Sequence, residues 1–343
     1  MFPRLAQIDP LYGVPRGRRA PIASSSPFRM SRQPLSQADL NDVRRIAARC
    51  LGPAADIQHL PSHQNVVCRV RLADGRRRIV KMAKRDGSSS RGSIIREPSV
   101  YALLADAGLP APRVHCGEGH DGSLGRAWFA CDDLGRRTAA DTGGLANVNR
   151  RSLYAELGQY LARVHDVRVT GGFEGLGLAG GVAASPLAQW HGRQIARALH
   201  DRMFRGLAAE RLEVLPLEPK RRPAHDAGAS LCHGDFHPAQ AIRRGPHLVA
   251  TVDWESAHAG DPGYDHAAFE VMLRVTCPGD LAEAALSAYA KARPFHDATV
   301  YDDVRTAHAV ALAVTFTDAR RPAFARSAKM YAQRRLAGEA AAA

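Results

Sequence analysis

The chain has no apolar run approaching the ~18–20 residues that a helix needs to cross a bilayer, so no membrane span is expected. Cysteine is sparse: six residues, at 50, 68, 116, 131, 232 and 277, with no C-x-x-C pair among them. Such scatter excludes a disulfide framework and predicts reduced thiols in a cytoplasmic protein. Acidic residues are too few to balance the basic ones, 34 Asp and Glu against 47 Lys and Arg, a net charge of +13. A nucleic-acid partner would be the usual reading of that excess, but no basic run here is interleaved with aromatic residues. Part of the excess sits in residues 1–33, which hold six Arg against one Asp. An Arg-rich solvated surface is therefore expected rather than a nucleic-acid interface. The same 33 residues lack a periodic apolar face and the ~7–15-residue apolar core of a secretory signal, and are expected to be disordered. Met30, just ahead of the first predicted helix, stands as an alternative start.

What is present is an ordinary globular composition, 45% hydrophobic and 24% charged, over a length of 343 residues that allows two lobes. Ser36 to Asp39 forms a helix-start signal, and Leu40, Val43, Ile46, Ala47, Cys50 and Leu51 then follow helical spacing. Residues 66–83 read as a hairpin turning at Asp74-Gly75, with Val66, Cys68, Val70 and Leu72 on one face and Arg69 and Arg71 on the other. A helix is predicted over Ile94 to Ala107, stopped by Gly108 and Pro110, followed by strands near 113–116 and 126–131. Beyond Leu134 the pattern is mainly helical: 151–167, about 185–206, 264–275, 280–292, and from 300 to the Ala-rich end.

The densest chemistry lies in residues 231–255, LCHGDFHPAQAIRRGPHLVATVDWE. Asp235 is followed five residues later by Gln240, and Gln240 thirteen residues later by Asp253, in a segment that Gly234 and Pro238 keep from being a helix interior. Two carboxylates and an amide are hard oxygen donors that suit Mg²⁺ bridging nucleotide phosphates. Lys81 sits among Ile79, Val80 and Met82 on the returning strand, where a buried ammonium demands an anionic partner. Lys84 is the competing lysine, past the apolar run.

These segments resemble the catalytic loop, H-G-D-x-H-x-x-N, and the hydrophobic-D-W/F-E segment of the aminoglycoside phosphotransferase and choline kinase superfamily. The resemblance covers about residues 55–275, with Gln240 where most of the superfamily has Asn; maltokinase-like members carry Gln there too. It implies an α+β, bilobal, protein kinase-like fold: a nucleotide-binding lobe with a small antiparallel sheet over 34–132 and a mainly helical lobe over 133–335. It further implies ATP and Mg²⁺ as cofactors. Asp235 would accept or align the proton of a substrate hydroxyl, Gln240 and Asp253 would hold metal, and Lys81, positioned by Glu97, would contact phosphate. The segment Ala127 to Leu134 resembles the hinge, where backbone near Ala130 to Asp132 would meet the base. Ser62 and Asn65 would stand in the phosphate-covering loop, which here has no glycine.

Several rival readings are weighed against this one. Gly117–Gly122 and Gly175–Gly180 match G-x-G-x-x-G, but neither is predicted to join a strand to a helix, as a dinucleotide fingerprint requires. His233 and His237 have the spacing of a zinc pair, but Gly234 breaks the helix and no HExxH glutamate accompanies them. His233 is expected instead to brace the loop backbone, and Asp261 and Asp265 to serve as turn and helix-cap residues. The expected activity is transfer of the γ-phosphate of ATP to a hydroxyl of a small molecule: an aminoglycoside, another antibiotic, a sugar or an amino-alcohol. The alternative is a catalytically inactive kinase-like binding or regulatory protein.

Overall fold

The computed structural model describes residues 35–60, 62, 65–85, 91–119, 122–169, 186–200, 229–294 and 298–337. The Arg-rich tail, the second glycine motif at 175–180 and the predicted helical stretch at 201–206 lie outside them.

Helix α1 (Gln37–Ile46) starts where the sequence placed it: the Ser36 hydroxyl accepts a hydrogen bond from the Asp39 amide at 3.1 Å. It runs into a wider π-turn over Ala47–Leu51. Strands β1 (Ala54–Leu60), β2 (Asn65–Leu72), β3 (Arg77–Ala83), β4 (Val114–Glu118) and β5 (Trp128–Asp132) form one antiparallel sheet in the order β1-β2-β3-β5-β4. Strand alternation divides its faces. Val66, Cys68, Val70, Val80, Met82, Trp128 and Ala130 pack under Val43, Ile46 and Leu51, making an outer core with α1. Buried Arg126 fastens α1 to the sheet through Asp39 at 2.7 Å and Asp42 at 2.5 Å. The other face takes helix α2 (Arg91–Asp106) and merges into a core that continues into the second lobe, joining Ile94, Tyr101, Leu104 and Phe129 to Leu157, Phe236, Trp254 and Phe269.

In the second lobe, α3 (Asn147–Asp166) lies against α6 (Gly279–Ala292). Their contact is so close that a Cβ at Gly158 would fall 1.9 Å from the Ala285 carbonyl oxygen. Helices α4 (Pro186–His200), α5 (Pro262–Thr276), α7 (Asp302–Asp318) and α8 (Pro322–Leu336) share a further apolar core. The single helix predicted from residue 300 onward is two. Pro322 cannot donate to a continuing helix and biases Arg321 out of the helical region, and Arg320 takes a left-handed φ of 54° at the break. Strands β6 (Ser230–Cys232) and β9 (His258–Gly260) pair with each other, as do β7 (Ala241–Arg244) and β8 (His247–Thr251). These two short ladders hold the loop that carries Asp235 and the turn that carries Asp253.

Candidate active site

Between β6 and β7 the chain makes a loop whose shape is set by Gly234 and Asp265. Gly234 has φ +80°, and a Cβ there would meet the Ser256 carbonyl oxygen at 2.4 Å, so only glycine fits. The buried Asp265 carboxylate, on α5, accepts from the backbone amides of His233 at 2.8 Å and Gly234 at 2.9 Å and from His165 Nε2 at 3.1 Å. Burial alone would raise this carboxyl; the bond from His165 and the charge of that ring hold it well below its ordinary value. Asp261 is the helix cap that was expected, accepting from the Gly263 amide at 2.8 Å. Asp265 is not a cap: one turn further on, it anchors the loop from beneath. A carboxylate in a helix otherwise as apolar as PGYDHAAFEVML was the available sign that it must be paired.

His233 braces the same loop from the other side. Its Nε2 lies 3.3 Å from the Val252 carbonyl oxygen, and its ring packs 4.3 Å from that of Trp254. His237 Nδ1 accepts from the Ala239 amide at 3.3 Å and caps the short 3-10 turn Pro238–Gln240. The two imidazoles thus serve different backbone partners rather than a shared ion. A second group, His165, Cys232 and Asp265, brings its ligand-type atoms within 4.8 Å of one another. Both His165 nitrogens are engaged, Nδ1 with the Tyr289 hydroxyl at 2.7 Å and Nε2 with Asp265, so this cluster is a hydrogen-bonded core.

The 3-10 turn points Gln240 back at Asp235, whose Oδ2 accepts from Gln240 Nε2 at 3.2 Å. The Gln240 Oε1 is left buried with no hydrogen-bond partner among the described residues. Asp253 follows β8 in the left-handed region, φ 68° and ψ 49°, a conformation Asp tolerates better than most residues. The Asp235 and Asp253 side chains are each about half exposed, 51% and 49%, although both lie at the base of the cleft between the lobes. That recessed position, and secondarily the Asp253 charge, push the Asp235 carboxyl up to about 8.

Lys81 enters from above. Its Nζ lies 2.6 Å from Glu97, 3.2 Å from Asp253 and 2.5 Å from Glu255. Burial opposes the ammonium, but the three carboxylates, Glu97 foremost, raise its pKa. Glu97 is buried, and its Oε1 accepts from the Trp254 amide at 2.9 Å and the Tyr101 hydroxyl at 3.2 Å. Glu255, beside Asp253, is pushed up to about 7 by burial and then by its acidic neighbours, working against Lys81. The Asn65 amide donates to Glu255, so the first residue of β2, where the loop ends, reaches the same cluster. The Ser62 hydroxyl accepts from the Asn65 backbone amide at 3.3 Å. His63 and Gln64 lie outside the described residues. Lys84 follows the end of β3.

At the hinge the sequence reading needs correcting. Ala130 is in the interior of the sheet, opposite Val80 of β3 on one side and Cys116 of β4 on the other, so its backbone groups belong to the ladders. Asp132 ends β5; its amide donates to the Arg113 carbonyl at 3.0 Å and its carboxylate meets His115 Nε2 at 2.8 Å. The connection that follows is clamped by buried Arg69, whose Nε and Nη2 reach the two Asp133 oxygens at 2.6 and 2.9 Å. Sequence reading put Arg69 on the face opposite the outer core but missed this partner, 64 residues away.

A five-stranded sheet with one crossing helix, a cleft lined by Lys81, Glu97, Asp235, Gln240 and Asp253, and a helical second lobe define a kinase-like fold. The sequence model of the phosphotransferase enzyme family matches residues 56–301, and the chain belongs to that family. Among solved structures it is similar to a thermostable mutant of aminoglycoside phosphotransferase APH(4)-Ia in ternary complex with AMP-PNP and hygromycin B. That likeness has a TM-score of 0.64 at 16% identity and covers 88% of this chain and 100% of the other. It is also similar to macrolide 2'-phosphotransferase MphH from Brachybacterium faecium, with a TM-score of 0.50 at 18% identity, covering 85% and 97%. Among curated proteins, acyl-CoA dehydrogenase family member 10 of Mus musculus is 28% identical over 229 residues, 63% of this chain. The chain spans only about a fifth of that relative, 20% of its length. No helix among the described residues is long and apolar enough to cross a membrane.

Proposed function

We propose that this phosphotransferase moves the γ-phosphate of ATP onto a hydroxyl of a small molecule, in the cytoplasm, with Mg²⁺ as the accompanying ion. The observation that carries the reading is the convergence of Lys81, Glu97, Asp235, Gln240 and Asp253, from both lobes, on one cleft. Lys81 supplies a fixed cation for the nucleotide phosphates, held in place by Glu97 from α2. The nucleotide base would be held by the chain at and after Asp132, where the Arg69–Asp133 clamp fixes the connection between lobes.

The donor set fits magnesium. Gln240 Oε1 is a buried oxygen without a partner among the described residues, and the Asp253 carboxylate keeps half its surface open to the cleft. Asp253 and Gln240 would hold the ion, which when bound offsets the negative charge of the phosphates. Asp235 sits beside Gln240 and faces the cleft, where it aligns the acceptor hydroxyl and takes its proton as the oxygen attacks. Asn65, through Glu255, ties the glycine-free loop to the ammonium that meets the phosphates.

The acceptor is an aminoglycoside, another antibiotic, a sugar or an amino-alcohol; hygromycin B in the APH(4)-Ia complex is an example of the class. One observation favours the inactive, nucleotide-binding alternative: Lys81 already has three carboxylates around it. Nucleotide consumption measured against a panel of aminoglycosides, macrolides, sugars and choline-like alcohols separates the two. Transfer to any hydroxyl supports the enzyme; Mg²⁺-dependent nucleotide binding without transfer to any member of the panel supports the alternative.

A further inference from the structure

The six cysteines divide into two groups. Cys68, Cys131, Cys232 and Cys277 are buried, whereas Cys50 is exposed and Cys116 is partly so. Cys50 lies in the π-turn that ends α1, and Cys116 lies on the edge strand β4, 66 positions later. The fold brings these two segments into contact. Arg49, next to Cys50, forms an ion pair with Glu118 of β4 and donates to the Ser123 hydroxyl at 2.9 Å. Cys116 packs against the outer core that includes Ala47 and Leu51 of the turn. Cys50 Sγ donates to the Ile46 carbonyl oxygen at 3.2 Å, and the thiol lies near enough to Cys116 to raise it.

We infer that Cys50 and Cys116 are a reversible redox pair, which a low-molecular-weight disulfide oxidises to a crosslink between α1 and the sheet edge. The exposed Cys50 thiolate attacks one sulfur of the small disulfide, and the first small thiolate leaves. The Cys116 thiolate then attacks the Cys50 sulfur, the protein disulfide forms, and the second small thiolate leaves. Two protein thiols are oxidised, one small disulfide is reduced to two thiols, and the two protons pass to the departing thiolates. Order of attack follows from exposure: burial and the neighbouring Cys50 push the Cys116 thiol up to about 12, which makes it the resolving partner. Arg49, whose charge favours the Cys116 thiolate, assists that second step. The four buried thiols are out of reach of a solvent oxidant.

The crosslink would close a loop containing β1, β2, β3 and α2, and with them Lys81 and Glu97. Such a closure restrains the unfolded chain and steadies the nucleotide lobe. The sequence gives no sign of it, because the residues are far apart and no C-x-x-C motif marks them.

The test uses the full chain and oxidised glutathione as the probe, with peptide mapping by mass spectrometry before and after a reductant. Wild type should yield a Cys50–Cys116 crosslinked peptide that disappears on reduction, together with a rise of several degrees in Tm over the reduced protein. Cys116→Ser should instead stop at a glutathione adduct on Cys50, and Cys50→Ser should resist both reactions. The reduced Tm of each variant, compared with reduced wild type, shows that the fold is retained. A stable glutathione adduct on wild-type Cys50 with no crosslinked peptide would overturn the inference, as would a crosslink joining any other pair.

Discussion

Asp265→Ala should loosen the loop that carries Asp235 without touching a single cleft-facing group. The carboxylate satisfies two buried backbone amides, those of His233 and Gly234, and one imidazole nitrogen of His165. Removing it leaves the two amides without a partner in a site closed to water, at about 1–3 kcal/mol each. The variant should therefore lose roughly 4 kcal/mol of the 5–15 kcal/mol typical of a folded domain, and stay folded but marginal. Asp265→Asn keeps one acceptor oxygen, and should lose about half as much. Urea unfolding followed by tryptophan fluorescence reads the change, since buried Trp254 packs on the His233 ring. Because Asp235 follows Gly234 directly, kcat should fall at least ~10-fold while nucleotide affinity holds. An unchanged urea midpoint in the alanine variant would refute the argument that this carboxylate anchors the loop.

Further expectations concern the cleft and the buried histidines. Lys81→Ala should weaken nucleotide binding by about 2 kcal/mol, roughly 30-fold, as expected for loss of a charge-assisted contact. Asp253→Ala should remove the Mg²⁺ dependence of that binding; calorimetry with and without the metal reads both, and unchanged affinities would place the nucleotide elsewhere. Gln240→Asn should retain activity with a modest change in Mg²⁺ dependence, because the amide oxygen persists on a shorter arm, whereas Gln240→Ala should lower turnover substantially. A Mg²⁺ titration that is identical for the alanine variant and wild type would remove Gln240 from the metal site. Burial pushes His266 and His308 down to about 3, and lowers His191, which bonds His308 at 2.9 Å. Their folded pKa values are depressed, so the unfolded chain binds more protons below about 6.5. The stability they support is present above that pH and is lost as pH falls from about 6.5 toward 3. The urea midpoint should drop between pH 7.5 and pH 5, and less steeply in His308→Gln; equal slopes would exclude that ring as a source.

What could be read from the sequence was whatever depends on neighbours along the chain. The spacing of Asp235, Gln240 and Asp253 is local, and so is the apolar strand around Lys81 that made a buried cation conspicuous. The Ser36 cap, the Asp74-Gly75 turn and the stop at Gly108 were legible for the same reason. Contacts that exist only after folding were not. Asp265 meets amides 31 and 32 residues earlier, Glu255 meets Asn65 across 190, and Arg69 meets Asp133 across 64. Arg69 and Glu255 look like surface residues until their partners arrive, and the apolar helix around Asp265 shows that a partner is needed without showing which. Ala130 failed for a subtler reason: its place in the hinge-like segment was legible, but whether its backbone was open depended on both neighbouring strands. Pro322 marks the break in the last helical stretch, but the Ala-rich pattern that continues on both sides masks it.

The central claim is that this cleft transfers phosphate with Asp235 at the acceptor hydroxyl. The most direct measurement compares wild type and Asp235→Asn with the best acceptor from the panel, following product by mass spectrometry and Mg²⁺-dependent nucleotide affinity by calorimetry. The account expects nucleotide affinity to be nearly unchanged while transfer falls by about 10²–10⁴-fold, the usual worth of a general base. An Asp235→Asn protein that phosphorylates the acceptor at the wild-type rate would contradict it.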